Sequence, residues 1–180
     1  GHGGPPPVEM MNRWFTKYLF EIENGVENDA KAWIVRERDS QDQPTAYADF
    51  PNPSAESVIL FPQKGGNDAG ILSSKRSSKE KESLIDNANY SGEYLARAKS
   101  SNHRLLYTTP ILSKDLHLSG TASIEIKMAS SKPAANLSVW LVALPWEDHK
   151  NAEIYDNIIT RGWADPQNSK SLTDSKPLDP

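Results

Sequence analysis

Near the start of the chain the apolar positions repeat every 3.6 residues. Met11, Trp14, Phe15, Tyr18, Leu19 and Ile22 fall at offsets 0, 3, 4, 7, 8 and 11, on one face of a helix, while Asn12, Arg13, Lys17, Glu21 and Glu23 take the remainder. Pro7 suits the first helical turn, where its missing N–H has no partner to lose, and Glu9 puts negative charge at the positive end of the helix dipole. Asn24-Gly25 supplies a stop. The pattern predicts a helix from about Pro7 to Asn24 whose aromatic face needs a large apolar surface. No long apolar run precedes it, so the expectation is that its partner lies upstream of Gly1.

Beyond the helix the period drops to two. Ala32-Trp33-Ile34-Val35 and Ser57-Val58-Ile59-Leu60-Phe61 are strand candidates, the second closed by Pro62 and a turn at Gly65-Gly66. Between them, Arg38 to Pro53 is polar and punctuated by proline. Ser73 to Ser83 carries mixed charge and reads as an exposed loop, since Glu80 and Glu82 break up what would otherwise be a basic patch. Arg104 to Thr108 reads as a strand. Ile124, Ile126 and Met128 alternate with Glu125, Lys127 and Ala129, predicting a strand with one face inward, between a turn at Ser119-Gly120 and a stop at Pro133. Leu137 to Leu144 is apolar on both faces, like a covered central strand, and Ile154 to Trp163 supplies another. No second helix is predicted. Short strands separated by turns indicate a mainly β fold of sandwich or jelly-roll type.

Composition narrows the function. The 180 residues are 37% apolar, enough for one core, and the net charge of −4 argues against nucleic acid as a partner. No run of about 18 apolar residues is present to cross a bilayer, and no signal peptide opens the sequence, so no membrane partner is expected. Zero cysteines exclude disulfides and thiolate metal sites and leave the compartment undecided. His103, His117 and His149 lack metal-ligand spacing, so no metal or other cofactor is expected. Asn89-Tyr90-Ser91 and Asn136-Leu137-Ser138 match the glycosylation triplet, which recurs by chance. Trp140, Trp146 and Trp163 suit core or interface positions better than a sugar-stacking platform. The polar stretch from Ser171 simply stops, and both ends read as boundaries within a longer chain. An unpartnered helix face of Trp14, Phe15 and Tyr18 would be an association surface, which leaves a homo-oligomer open.

His2 lies in Gly1-His2-Gly3-Gly4-Pro5-Pro6-Pro7, directly before the helix. Taken alone, a histidine among glycines is either a tail residue or a side chain kept unobstructed for chemistry. No Gly-x-Ser-x-Gly nucleophile elbow occurs in the chain.

Several stretches together resemble the C-terminal part of bacterial Xaa-Pro dipeptidyl-peptidases, serine peptidases of the S15 group related to cocaine esterase and α-amino-acid ester hydrolases. They are His2 to Pro7 with the Met-Met-Asn-Arg-Trp-Phe helix, Arg104 to Pro110, Leu118-Ser119-Gly120, Ser130 to Leu137, and Arg161 to Asn168. The resemblance implies an α/β-hydrolase domain ending near residue 30, with a C-terminal jelly-roll β-sandwich over 31–180, truncated here. It also implies that His2 is the triad histidine, since in that fold the order is Ser, Asp, His. Serine and aspartate would then lie upstream, the 180 residues alone would be inert, and the partners would be a peptide with proline at its second position and the chain's own hydrolase domain. The other reading is a β-sandwich binding module, for carbohydrate or protein, attached to an ester or acyl hydrolase.

Overall fold

The computed structural model describes residues 7–36, 43–76, 81–147 and 152–178. Helix α1 spans Pro7–Phe20, four residues short of the predicted end. Glu21 takes a left-handed conformation at φ 57°, which breaks the helix, and the Ile22 N–H returns to the Thr16 carbonyl. Asn24 then donates from Nδ2 to the Arg13 carbonyl at 2.7 Å, so the predicted stop folds back along the helix instead of extending it.

The chain divides into two compact units, the first comprising Gly1–Val58 with Lys114–Thr121. In it α1 is followed by a 3-10 turn at Val26–Asn28 and by strands β1 (Ala32–Ile34) and β2 (Thr45–Tyr47), which pair antiparallel with Trp33 opposite Ala46. The second strand lies inside the polar, proline-punctuated stretch from Arg38 to Pro53. Ser119 Oγ accepts from the Asn52 N–H at 2.9 Å, and the His117 ring stands 6.1 Å from that of Tyr47.

The second unit comprises Ile59–Ser113 and Ala122–Pro180. Strands β3 (Phe61–Pro62), β4 (Gly70–Ser73) and β5 (Tyr107–Thr108) form a sheet in which β4 pairs antiparallel with β3 and parallel with β5. A short helix that the period missed, α2 (Gly92–Arg97), is capped by Ser91, whose hydroxyl accepts from the Tyr94 N–H. Strand β6 (Leu137–Val142) pairs antiparallel with β7 (Ile158–Ala164), with an irregularity at Leu141/Val142. A 3-10 turn, Ile154–Asn157, leads into β7 and occupies the start of the predicted strand. The side chain of Asn157 is buried and fully used: Nδ2 donates to the Ala143 and Pro145 carbonyls at 2.7 and 2.9 Å, and Oδ1 accepts from the Glu147 N–H.

One predicted strand is not formed, and another keeps only its last residue, Phe61, which begins β3. Residues 57–60 carry no ladder, and Val58 and Ile59 are two-thirds exposed. Residues 121–130 are likewise outside any sheet. The central-strand reading of β6 is also modified, because among the described residues its one ladder partner is β7. Among the described residues the architecture is thus three small sheets with few helices.

Little of the apolar surface is covered. Among the described residues Ile154 is the one buried apolar side chain. The chain exposes 15023 Å², against about 8,700 Å² for a compact monomer of its mass and about 10,500 Å² for two compact bodies of half that mass.

Candidate functional site

The tightest polar assembly surrounds the Gly65-Gly66 turn. The turn itself is closed by the Asp68 N–H bonding the Gly65 carbonyl at 3.0 Å. The N–H groups of Gly65 and Gly66 both point at Oε1 of Glu82, at 2.8 and 2.9 Å, and the Tyr107 hydroxyl donates to Oε2 at 2.6 Å. Burial works against the Glu82 charge, but these three donors, with Lys64 nearby, outweigh it and lower its pKa. The same arrangement raises the pKa of Tyr107, through burial first and the facing carboxylate second.

Tyr107 also explains why glycine stands at 66 and 70. A Cβ on Gly66 would lie 2.9 Å from the tyrosine ring, and one on Gly70 would lie 2.6 Å from both the ring and the Gln63 carbonyl. Arg104 completes the assembly from the same segment. Its guanidinium donates to the carbonyls of Gly66 and Asp68 at 2.8 Å, Leu95 at 3.0 Å and Ala98 at 2.6 Å, tying the turn to the end of α2. Burial lowers its pKa while Asp68 opposes the shift. Every acceptor of this arginine is backbone, so its work is structural and leaves no group free for catalysis.

Two surfaces are less satisfied. On β7 the Arg161 guanidinium lies 5.2 Å from the Tyr155 ring centroid and 5.1 Å from that of Trp163, and both rings are largely exposed. Trp163 also lines an open groove of about 460 Å³ with Asn136, Ser138 and Asp165. Trp140 stands on the same face of the β6–β7 pair as Trp163, because Ser138 lies opposite Trp163 and Trp140 opposite Arg161. Trp140 bonds Ser138 Oγ through Nε1 and sits against Gly92, whereas Trp146 is flanked by Arg97 at 5.9 Å.

The second surface is α1, whose amphipathicity is inverted relative to a helix that covers its own core. Its polar side is bound to the chain: Arg13 pairs with Asp29 at 2.6 Å, and Lys17 pairs with Glu23 and, at 3.0 Å, with Glu27. Its apolar side faces outward, with Trp14 54%, Phe15 48% and Leu19 67% exposed.

His2, the one predicted catalytic residue, lies outside the described residues, as does His149. His103 has its Nδ1 2.6 Å from the Ile85 carbonyl and packs on Tyr90. Among the described residues no group of three His, Cys, Asp or Glu side chains is placed to hold a metal ion. Glu82 is not legible in the sequence because a single acid in a charged loop carries no local pattern; its partners are 16, 17 and 25 residues away.

Comparison with known proteins bears on all three regions. Residues 24–180 match the family described as the X-Pro dipeptidyl-peptidase C-terminal non-catalytic domain. A protein of Rhodopirellula baltica that bears the provisional name of Xaa-Pro dipeptidyl-peptidase is 54% identical over the whole of this chain, and one of Bacillus anthracis with the same provisional name is 31% identical, again over the whole chain. The Xaa-Pro dipeptidyl-peptidase of Lacticaseibacillus rhamnosus is 28% identical over 76% of the chain. The chain spans 29% of the length of the first two relatives and 18% of the third. No solved structure gives a significant match. With the family match running from residue 24 to residue 180, through both the Glu82 assembly and the β6–β7 pair, the chain belongs to the X-Pro dipeptidyl-peptidase C-terminal non-catalytic domain family.

Proposed function

We propose that these residues form the closing portion of a serine exopeptidase that releases Xaa-Pro dipeptides from peptide N-termini. They would supply one catalytic residue, His2, and a non-catalytic β domain. The observation that carries this reading is the family match over 24–180, joined to full-length similarity with proteins of which this chain is under a third. The family match begins just after α1, in keeping with a boundary near residue 30 and with 1–30 as the end of an α/β-hydrolase domain. In this reading the small sheets belong to a jelly-roll sandwich over 31–180. The outward aromatic face of α1 packs on the hydrolase domain, which is the partner it lacks here.

His2 would accept the proton of a serine from elsewhere in the polypeptide during attack, then return it to the leaving amine. The flanking glycines and the proline run would keep the imidazole clear and lead directly into α1. The substrate is a peptide with proline at its second position. Glu82, Arg104 and Tyr107 take no part in the chemistry; they stiffen the β domain.

The test is hydrolysis of an Xaa-Pro chromogenic amide. The whole polypeptide should turn it over, His2→Ala should lower kcat by about 10⁴-fold or more, and the 180 residues alone should give no acyl-enzyme burst. Undiminished turnover by His2→Ala would remove His2 from the mechanism. Turnover by the 180 residues alone, blocked by a serine-directed inhibitor, would overturn the inert-fragment reading.

A further inference from the structure

We infer that residues 122–130 are a docking edge for an extended segment of the longer polypeptide, added to them as a β-strand. The inference rests on the proposed reading only in taking this chain as part of a longer one. The first observation is the conflict between pattern and structure. Ile124, Ile126 and Met128 alternate with Glu125, Lys127 and Ala129, the signature of a strand with one covered face. Yet among the described residues 122–130 join no ladder and make no backbone–backbone hydrogen bond.

The second observation is exposure. Ile124 is 57%, Ile126 50% and Met128 37% exposed, so the apolar half of the alternation faces water together with the backbone donors and acceptors. An alternating strand left in this state lacks both things a sheet supplies: a ladder for its N–H and C=O groups and cover for its apolar face. A strand laid alongside would supply the ladder, which is the physical basis of recognition by strand addition, and its own alternate apolar side chains would shield the flanks of Ile124, Ile126 and Met128.

The third observation identifies the occupant. This chain spans 29% of the Rhodopirellula baltica and Bacillus anthracis relatives, so most of a polypeptide of that length lies outside it. A tethered segment acts at an effective concentration in the millimolar range, far above that of a free second copy. The 15023 Å² of exposed surface leaves ample area for it to cover. The occupant is therefore a segment of the same polypeptide outside residues 1–180, extended and with alternate apolar side chains.

Amide hydrogen exchange on the unmodified whole polypeptide tests this, because it requires no variant to fold. The amides of 123–129 should exchange about 100-fold or more slowly than in an unstructured chain. Exchange at the unstructured rate would overturn the inference. A photo-crosslinking benzoylphenylalanine replacing Glu125, with mass mapping of an equal mixture of isotopically light and heavy protein, identifies the occupant. Cross-links to the same molecule outside residues 1–180 support the inference; cross-links confined to residues 1–180, or joining light to heavy chains, overturn it. An Xaa-Pro turnover assay on the same preparation keeps the two readings apart. Fast exchange with intact turnover sinks this inference alone, whereas protection without turnover sinks the peptidase reading and leaves the docking edge standing.

Discussion

The Glu82 assembly and helix α1 solve the same problem in opposite ways. Around Glu82 each charge meets its complement within the chain: a carboxylate takes three donors, an arginine takes four close carbonyls, and two glycines make room for a tyrosine ring. In α1 the charges are also satisfied, through Asp29, Glu23 and Glu27, but the aromatic face that would dominate the energetics stays about half exposed, with Trp14 and Tyr18 packed on each other. The first region is self-sufficient and the second is contingent. Hydrogen bonds and ion pairs can hold a segment's geometry locally, while burial, at about 25 cal/mol per Å², has to be found wherever the apolar surface is. A family portion covering under a third of its relatives can carry its polar scaffolding with it and still depend on the remainder for its core.

The largest expected effect on this contrast comes from overfilling the self-sufficient region. Gly70→Ala puts a methyl 2.6 Å from the Tyr107 ring and from a backbone oxygen that cannot swing away. It should lower stability by about 3 kcal/mol, read from the urea midpoint. A change below about 0.5 kcal/mol would mean the turn is not packed as described.

A smaller effect should follow from Glu82→Gln, about 1 kcal/mol at neutral pH. Its pH dependence carries the sign. The folded carboxyl has a pKa below its ordinary 4.5, so its contribution is complete above that pH and fades as pH falls through the lower folded value. The advantage of the unmodified protein over Glu82→Gln should therefore shrink on acidification below about pH 4.5. An advantage that grows there would contradict the hydrogen-bonded carboxylate. Tyr107 runs the other way: its raised pKa keeps the phenol protonated, so this contribution should hold below pH 10 and be lost as pH rises through the folded value.

The smallest effect concerns the end of α1. Glu21 sits at φ 57°, a conformation that glycine adopts without steric cost. Glu21→Gly should stabilise by about 0.5 kcal/mol after the extra freedom of glycine in the unfolded chain is counted. Thermal unfolding would register it as a small rise in Tm, and a fall would show that the Glu21 side chain has a role of its own.

The sequence reveals the parts of this fold whose cause is local. Apolar residues in helical register announce α1, five of the six lying within it, and the apolar run from Leu137 announces β6. The end of α1 is not legible, because a left-handed Glu21 leaves no trace in composition, whereas Asn24-Gly25 looks like a stop. Helix α2 escapes the pattern although Ser91 and the Glu93–Arg97 pair mark it, since six residues are too few to establish a period. Strand β2 hides among polar residues because its definition comes from pairing with β1. The Glu82 assembly is less legible still: Arg104 binds backbone carbonyls, which every residue has, and Gly66 matters only because Tyr107 lies over it. Residues 122–130 show the reverse case, a strand legible in the sequence that finds no ladder partner among the described residues.

The central claim is that the apolar faces left open here are covered within the longer polypeptide. Hydroxyl-radical footprinting of Trp14, Phe15 and Tyr18 tests it most directly, by comparing the 180-residue chain with the whole protein. The account predicts strong labelling of all three rings in the 180-residue chain and marked protection in the whole polypeptide. Equal labelling in both would contradict it.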